Sequence, residues 1–69
     1  MMSPSSSTPL PPSIGKPATR ALHAHSIYSL EELSEKTLEE VGAYHGVGPK
    51  AIKILLEALH THQLAFRTD

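Results

Sequence analysis

The sequence predicts an all-α fold, a compact bundle of four to five short helices. Three observations predict it. Apolar residues near the C-terminus recur at helical spacing, with Ile52, Leu55, Leu56 and Leu59 at i, i+3, i+4 and i+7. Two capping-box patterns, Ser29-Leu30-Glu31-Glu32 and Thr37-Leu38-Glu39-Glu40, each open a helix. A glycine hairpin, Gly46-Val47-Gly48, stands directly before Pro49, a residue whose fixed φ and missing N–H suit the first turn of a helix. With 69 residues and no cysteine, the chain has one small core to rely on and neither disulfides nor a cysteine-ligated metal. Such a core rarely supplies more than roughly 3–5 kcal/mol, which favours local helical packing.

Taken in order, residues 1–13 are rich in Ser, Thr and Pro, carry no charged side chain and show no helical or strand period, so they read as a disordered tail. The prolines at 9, 11 and 12 could adopt polyproline II, though a linker role is the plainer one. Residues 14–66 form the predicted domain, and residues 67–69 are expected to fray. Its first helix starts around Pro17 and turns Ala18, Ala21 and Leu22 to one side. The second runs from Leu30 to about Glu35, with Tyr28 placed to staple onto Leu33. The third opens at Thr37 and ends near Tyr44 and His45, and the fourth runs from Pro49 to about His62. Leu64 and Phe66 fold back as an apolar clip.

A partial internal repeat joins the two ends of this domain. Shifted by 33 positions, residues 14–22 fall on residues 47–55. Both copies read apolar, Gly, a Pro/Lys pair in swapped order, Ala, a variable residue, a base, an apolar residue and Leu. Two such units about a pseudo-twofold axis would put two basic helix starts on one surface. Where the second copy has Gly46 and a preceding helix, the first has Pro11, Pro12 and Ser13.

The net charge is −1, but the charges are segregated. Glu31, Glu32, Glu35, Glu39 and Glu40 place five of seven acids within ten residues, while Lys16 with Arg20 and Lys50 with Lys53 form two clusters outside that block. Cations at a helix N-terminus oppose the macrodipole, so each basic cluster suggests an absent anion. Amides of Gly46, Val47, Gly48, Lys50 and Ala51 would face phosphate oxygens, with Gly15, Lys16 and Arg20 as the second half of the surface. The bland alternatives are a tight turn chosen for geometry and lysines on a solvated face. Acids in the first turns of short helices complement their dipoles, and alternatively form a face for a basic partner protein. Five histidines include no i, i+4 pair, so no metal site or other cofactor is expected; their charge would rise as pH falls and strengthen binding to a polyanion. Aromatics at 4% provide no stacking platform for single strands.

Residues 14–66 resemble helix-hairpin-helix DNA-binding domains, and most closely the C-terminal domain of the bacterial RNA polymerase alpha subunit. Ala21-Leu22, Ile27, Leu30 to Leu33, Thr37 with Leu38 and Val41, Gly46-Val47-Gly48, Lys50 and the last helix ending in Leu64-Ala65-Phe66 carry the resemblance. It implies a SAM-like bundle contacting the duplex backbone and minor groove from two helix starts. Gly48 and Lys50 match the glycine and lysine of the family's second contact region. In the first region the minor-groove arginine position holds Pro17 and the asparagine position holds Arg20. The expectation is therefore a cytoplasmic, monomeric, non-enzymatic module binding duplex DNA with little sequence specificity. The alternative is a protein-interaction module that keeps the hairpin for packing and uses its acidic helices. No acid follows Lys50 in a position suited to catalysis, since Glu57 lies mid-helix.

Overall fold

The computed structural model describes residues 8–68. Among them are four α-helices, α1 (Lys16–Ala24), α2 (Leu30–Leu33), α3 (Leu38–Gly42) and α4 (Pro49–Thr61), preceded by a 3-10 turn at Pro12–Ile14. The described residues form no strand, only an antiparallel bridge between Pro9 and Ser29 and a parallel one between Thr37 and Arg67. No helix among them is long and apolar enough to cross a membrane.

The two short helices begin with the hydroxyl caps that their capping-box patterns supply. Glu32 N donates to Ser29 Oγ at 3.1 Å, and Tyr28 N, one residue before the cap, donates to Glu32 Oε1 at 2.7 Å. At α3, Glu40 N donates to Thr37 Oγ1 at 3.1 Å. A hydroxyl cap of this kind contributes about 1 kcal/mol, a large share of what holds a single helical turn. Tyr28, expected to staple onto Leu33, is instead 58% exposed and lays its ring 4.8 Å from that of His23.

The two longer helices end alike, in a manner the sequence did not advertise. After α1, Ile27 N donates to Leu22 O at 2.8 Å and Ser26 N to His23 O at 2.9 Å; after α4, Leu64 N donates to Leu59 O at 2.7 Å and Gln63 N to His60 O at 3.0 Å. Both are Schellman closures, with Ser26 at φ 62° and Gln63 at φ 59° in the left-handed position usually given to glycine. Each reversal turns an apolar residue, Ile27 or Leu64, back toward the core.

The core sits where the helices converge. Leu22, Ile27, Leu30, Leu33, Val41, Leu55 and Leu59 are fully enclosed, and Phe66 closes the edge. Each enclosed leucine contributes about 1.5–3 kcal/mol relative to exposure. The 3-10 turn packs against both α4 and α1 through Ile14.

Both boundaries of the domain lie further out than expected. Thr8 N and Thr8 Oγ1 donate to the two carboxylate oxygens of Glu31 at 2.7 and 2.8 Å, and Leu30 N donates to Thr8 O at 2.8 Å. Residues 8–13 are thus a strap fastened to α2, because a carboxylate at the start of that helix offers two acceptors to one residue. The tail expected at residues 1–7 lies outside the described residues. At the other end Arg67 N donates to Lys36 O at 2.9 Å, which fastens a position expected to fray; Asp69 lies outside the described residues.

Replacing Leu22 by Ala removes a side chain with 0% exposure, which costs about 2–5 kcal/mol and matches the whole stability of so small a core. A circular-dichroism melt should therefore show L22A largely unfolded at 25 °C, whereas L56A, at a 42% exposed position, should shift stability by only about 0.5 kcal/mol. The strap makes a second prediction. The bonds from Thr8 hold the Glu31 carboxyl below its ordinary value of 4.5. A carboxyl held down when the strap is closed favours closure above that pH, and the preference disappears as pH falls through the lowered value. Hydrogen exchange should show the Leu30 amide losing protection below pH 4.5, while in Glu31→Ala it is unprotected at every pH.

Candidate nucleic-acid interface

The hairpin between α3 and α4 is seated on α1 at two points. Gly46 adopts φ 101°, a region that side chains rarely enter, and a Cβ built there would stand 2.8 Å from Pro17 O and 3.6 Å from Ala21 Cβ. Further along, the ring of Tyr44 stacks on that of His25, with centroids 3.7 Å apart and planes at 3°. Residues 44–46 therefore lie along α1 from its first turn to its C-cap. The Gly46 contact lies three residues before Pro49, where α4 begins, and reaches Pro17 at the start of α1. Burial and the nearby Glu40 carboxylate raise the Tyr44 hydroxyl above its ordinary pKa, so the stacked ring stays neutral and protonated through the physiological range.

The glycines of the hairpin do not share one task. Gly46 is required by its φ and by its approach to Pro17. Gly48 is extended at φ −101°, and a Cβ there would meet nothing within 4 Å. It is the N-cap of α4 and has no side chain to cover the helix end.

The amides sort into free and engaged. Val47 N donates to Tyr44 O at 3.2 Å and its side chain is buried, so Val47 holds the turn together instead of presenting an N–H. The N–H groups of Gly48, Lys50 and Ala51 have no partner among the described residues, and Ile52 N, donating to Gly48 O, is the first engaged donor of α4. At α1, Gly15 N donates to Pro12 O and Gly15 O accepts from both Thr19 N and Thr19 Oγ1. Gly15, with φ 91°, thereby shapes the entry to the helix, leaving Lys16 N and Ala18 N as its unpartnered donors.

The cations at both starts are available. Lys16, Arg20, Lys50 and Lys53 are exposed and make no ion pair or side-chain hydrogen bond. Neither α1 nor α4 has an acid in its first turn, whereas α2 has Glu31 and Glu32 and α3 has Glu39 and Glu40. The acidic residues also divide. The Glu31 and Glu32 carboxylates accept from Thr8 and Tyr28, so within the acidic block those of Glu35, Glu39 and Glu40 have no hydrogen-bond partner among the described residues.

Sequence reasoning missed the His25–Tyr44 stack, the strap residues beside α1 and the engagement of Val47. Only Tyr44 carried a signal, as an aromatic at the end of the predicted third helix, and nothing in the spacing pairs it with His25. Among the described residues, no group of three or more His, Asp or Glu side chains could hold a metal ion.

The two hairpin glycines should respond to the same change to different degrees. Gly46→Ala places a Cβ against the Pro17 carbonyl at a strained φ and should cost about 1–3 kcal/mol, read as a lowered urea midpoint with an unchanged slope. Gly48→Ala meets open space and should cost only about a few tenths to 1 kcal/mol. No protein-family model, curated protein or solved structure matches the chain.

Proposed function

We propose that this domain is a small, non-enzymatic helix-hairpin-helix module that binds duplex DNA through the phosphate backbone and minor groove with little sequence preference. The observation that carries this function is the seating of Gly46 on Pro17 and Ala21, which ties the turn before α4 to the first two turns of α1. Both starts lack a side-chain cap, both lack a first-turn acid, and each carries two unpaired cations. Gly48, Lys50 and Lys53 form one contact region, in which the free amides of Gly48, Lys50 and Ala51 take a phosphate. Lys16 and Arg20 form the second, with Arg20 able to reach the duplex from the turn after Pro17.

The pseudo-twofold relation belongs to the same proposal. Ile14 and Val47, Ala18 and Ala51, and Leu22 and Leu55 are equivalent in the repeat, and all six are buried. The two copies thus direct the same positions inward and leave their bases outward. Gly15 and Gly48 differ in φ, 91° against −101°, so the likeness lies in the pattern of burial and not in the approach to the helix.

With four cations to offer, the affinity belongs to the non-specific class, with Kd on the order of 10⁻⁴–10⁻⁶ M at physiological salt. Fluorescence anisotropy on a labelled duplex should show binding that weakens steeply from low to high salt and is nearly the same for unrelated sequences. Lys50→Glu and Arg20→Glu should each reduce affinity several-fold, and removing one phosphate contact should lower the salt slope by about 1. Absence of binding at low salt, or wild-type affinity in Lys50→Glu, would overturn the proposal.

A further inference from the structure

A groove of about 710 Å³ runs between the N-terminal strap and the outer side of α1. Pro9, Leu10 and Pro12 line one wall, Lys16 and Arg20 rise from the other, and Tyr28 lies against it. Among the described residues no acid lines this groove, and neither of its two cations has a partner. An apolar floor edged with unpaired positive charge fits an apolar anchor that carries carboxylates beside it.

The chain presents such an anchor on α3. Leu38 is 42% exposed at the first position of that helix, in a shallow depression it shares with Glu39, Arg67 and Thr68. The carboxylates of Glu35, Glu39 and Glu40, within one turn of it, have no hydrogen-bond partner. The patch and the groove have no residue in common, so one molecule can offer both at once.

We propose that the groove accepts the α3 patch of a second copy of this chain, with Leu38 over Leu10 and the prolines and the glutamates over Lys16 and Arg20. The contact is heterologous, one surface against a different one, so it propagates head to tail and does not close at a dimer. A net charge of −1 leaves little long-range repulsion to oppose it. The charges lie at an exposed rim, and the association is weak and sensitive to salt. It does not depend on DNA binding, although Lys16 and Arg20 belong to both surfaces.

Sedimentation equilibrium of the full chain tests it. At low ionic strength, about 0.02 M, the weight-average mass should climb with concentration past that of a dimer, and at about 0.5 M salt it should return to that of the monomer. Leu38→Asp spoils the patch and leaves the groove; Arg20→Glu spoils the groove and leaves the patch. Each variant alone should be monomeric, and their equimolar mixture should form a heterodimer that grows no further. Circular-dichroism melts confirm that both variants are folded. A monomeric wild type at low salt, a wild type that stops at a dimer, or a mixture that fails to pair each overturns the proposal. Binding of a synthetic acidic peptide by an otherwise monomeric wild type also overturns it and assigns the groove to another partner. Leu38→Asp should keep its affinity for a DNA duplex, so loss of self-association is distinguishable from failure of the DNA-binding function.

Discussion

The absence of a side chain at Gly46 is the constraint on which the arrangement of this domain depends. Its backbone reaches a position where even a methyl group would stand 2.8 Å from the Pro17 carbonyl. That approach lets the turn between α3 and α4 lie flat on α1, and the His25–Tyr44 stack holds the other end of the same turn. Once both points are fixed, α4 leaves the hairpin three residues beyond the contact with Pro17. Leu22 and Leu55, one from each helix, both belong to the core. The docking of the turn on α1 is a consequence of one backbone contact.

The helices divide by how their N-termini are satisfied. α2 and α3 are single turns that cap themselves with Ser29 and Thr37 and neutralise their dipoles with glutamates. They gain local stability from this, and their starts are already supplied with negative charge. α1 and α4 are long enough to be held by buried leucines and dispense with caps. Their unpartnered amides and adjacent lysines carry an electrostatic cost that an anion at either start would relieve. The strap at residues 8–13 extends the same economy, because Glu31 serves α2 as a dipole partner and Thr8 as a double acceptor.

Most of the fold was legible because its signals are local. Each capping box names its own helix start, the spacing of Ile52, Leu55 and Leu59 fixes the spine, and Pro49 marks where α4 begins, all within a few residues of one another. What escaped depends on residues distant in sequence. Thr8 and Glu31 are 23 positions apart, and nothing in a run of Ser and Pro announces that its last members have a carboxylate waiting. The helix ends escaped for a different reason: Ser26 and Gln63 occupy a left-handed position where glycine would have given the signal. At the interface, the sequence located the cations and the turn but treated Gly46, Val47 and Gly48 as equivalent amide donors. Gly46 is a contact to α1, Val47 is a hydrogen-bonded core residue, and Gly48 is the open N-cap, a distinction visible only once α1 is in place.

The same basic residues serve both proposed surfaces, and this sets how the two would behave together. Lys16 and Arg20 stand at the start of α1, where a phosphate would meet them, and on the rim of the groove, where glutamates of a second copy would meet them. A cation paired with a carboxylate is not available to a phosphate, so the two partners oppose each other through shared charge, with no change of shape required. By linkage the opposition is reciprocal: DNA lowers the affinity between copies by the same factor by which association lowers the affinity for DNA. Lys50 and Lys53 lie outside the groove, so a molecule within a head-to-tail chain keeps half of its basic surface. Both equilibria weaken as salt rises, but DNA binding falls faster, because each phosphate contact also releases a condensed counterion. Ionic strength therefore changes the balance between the two states as well as the strength of each.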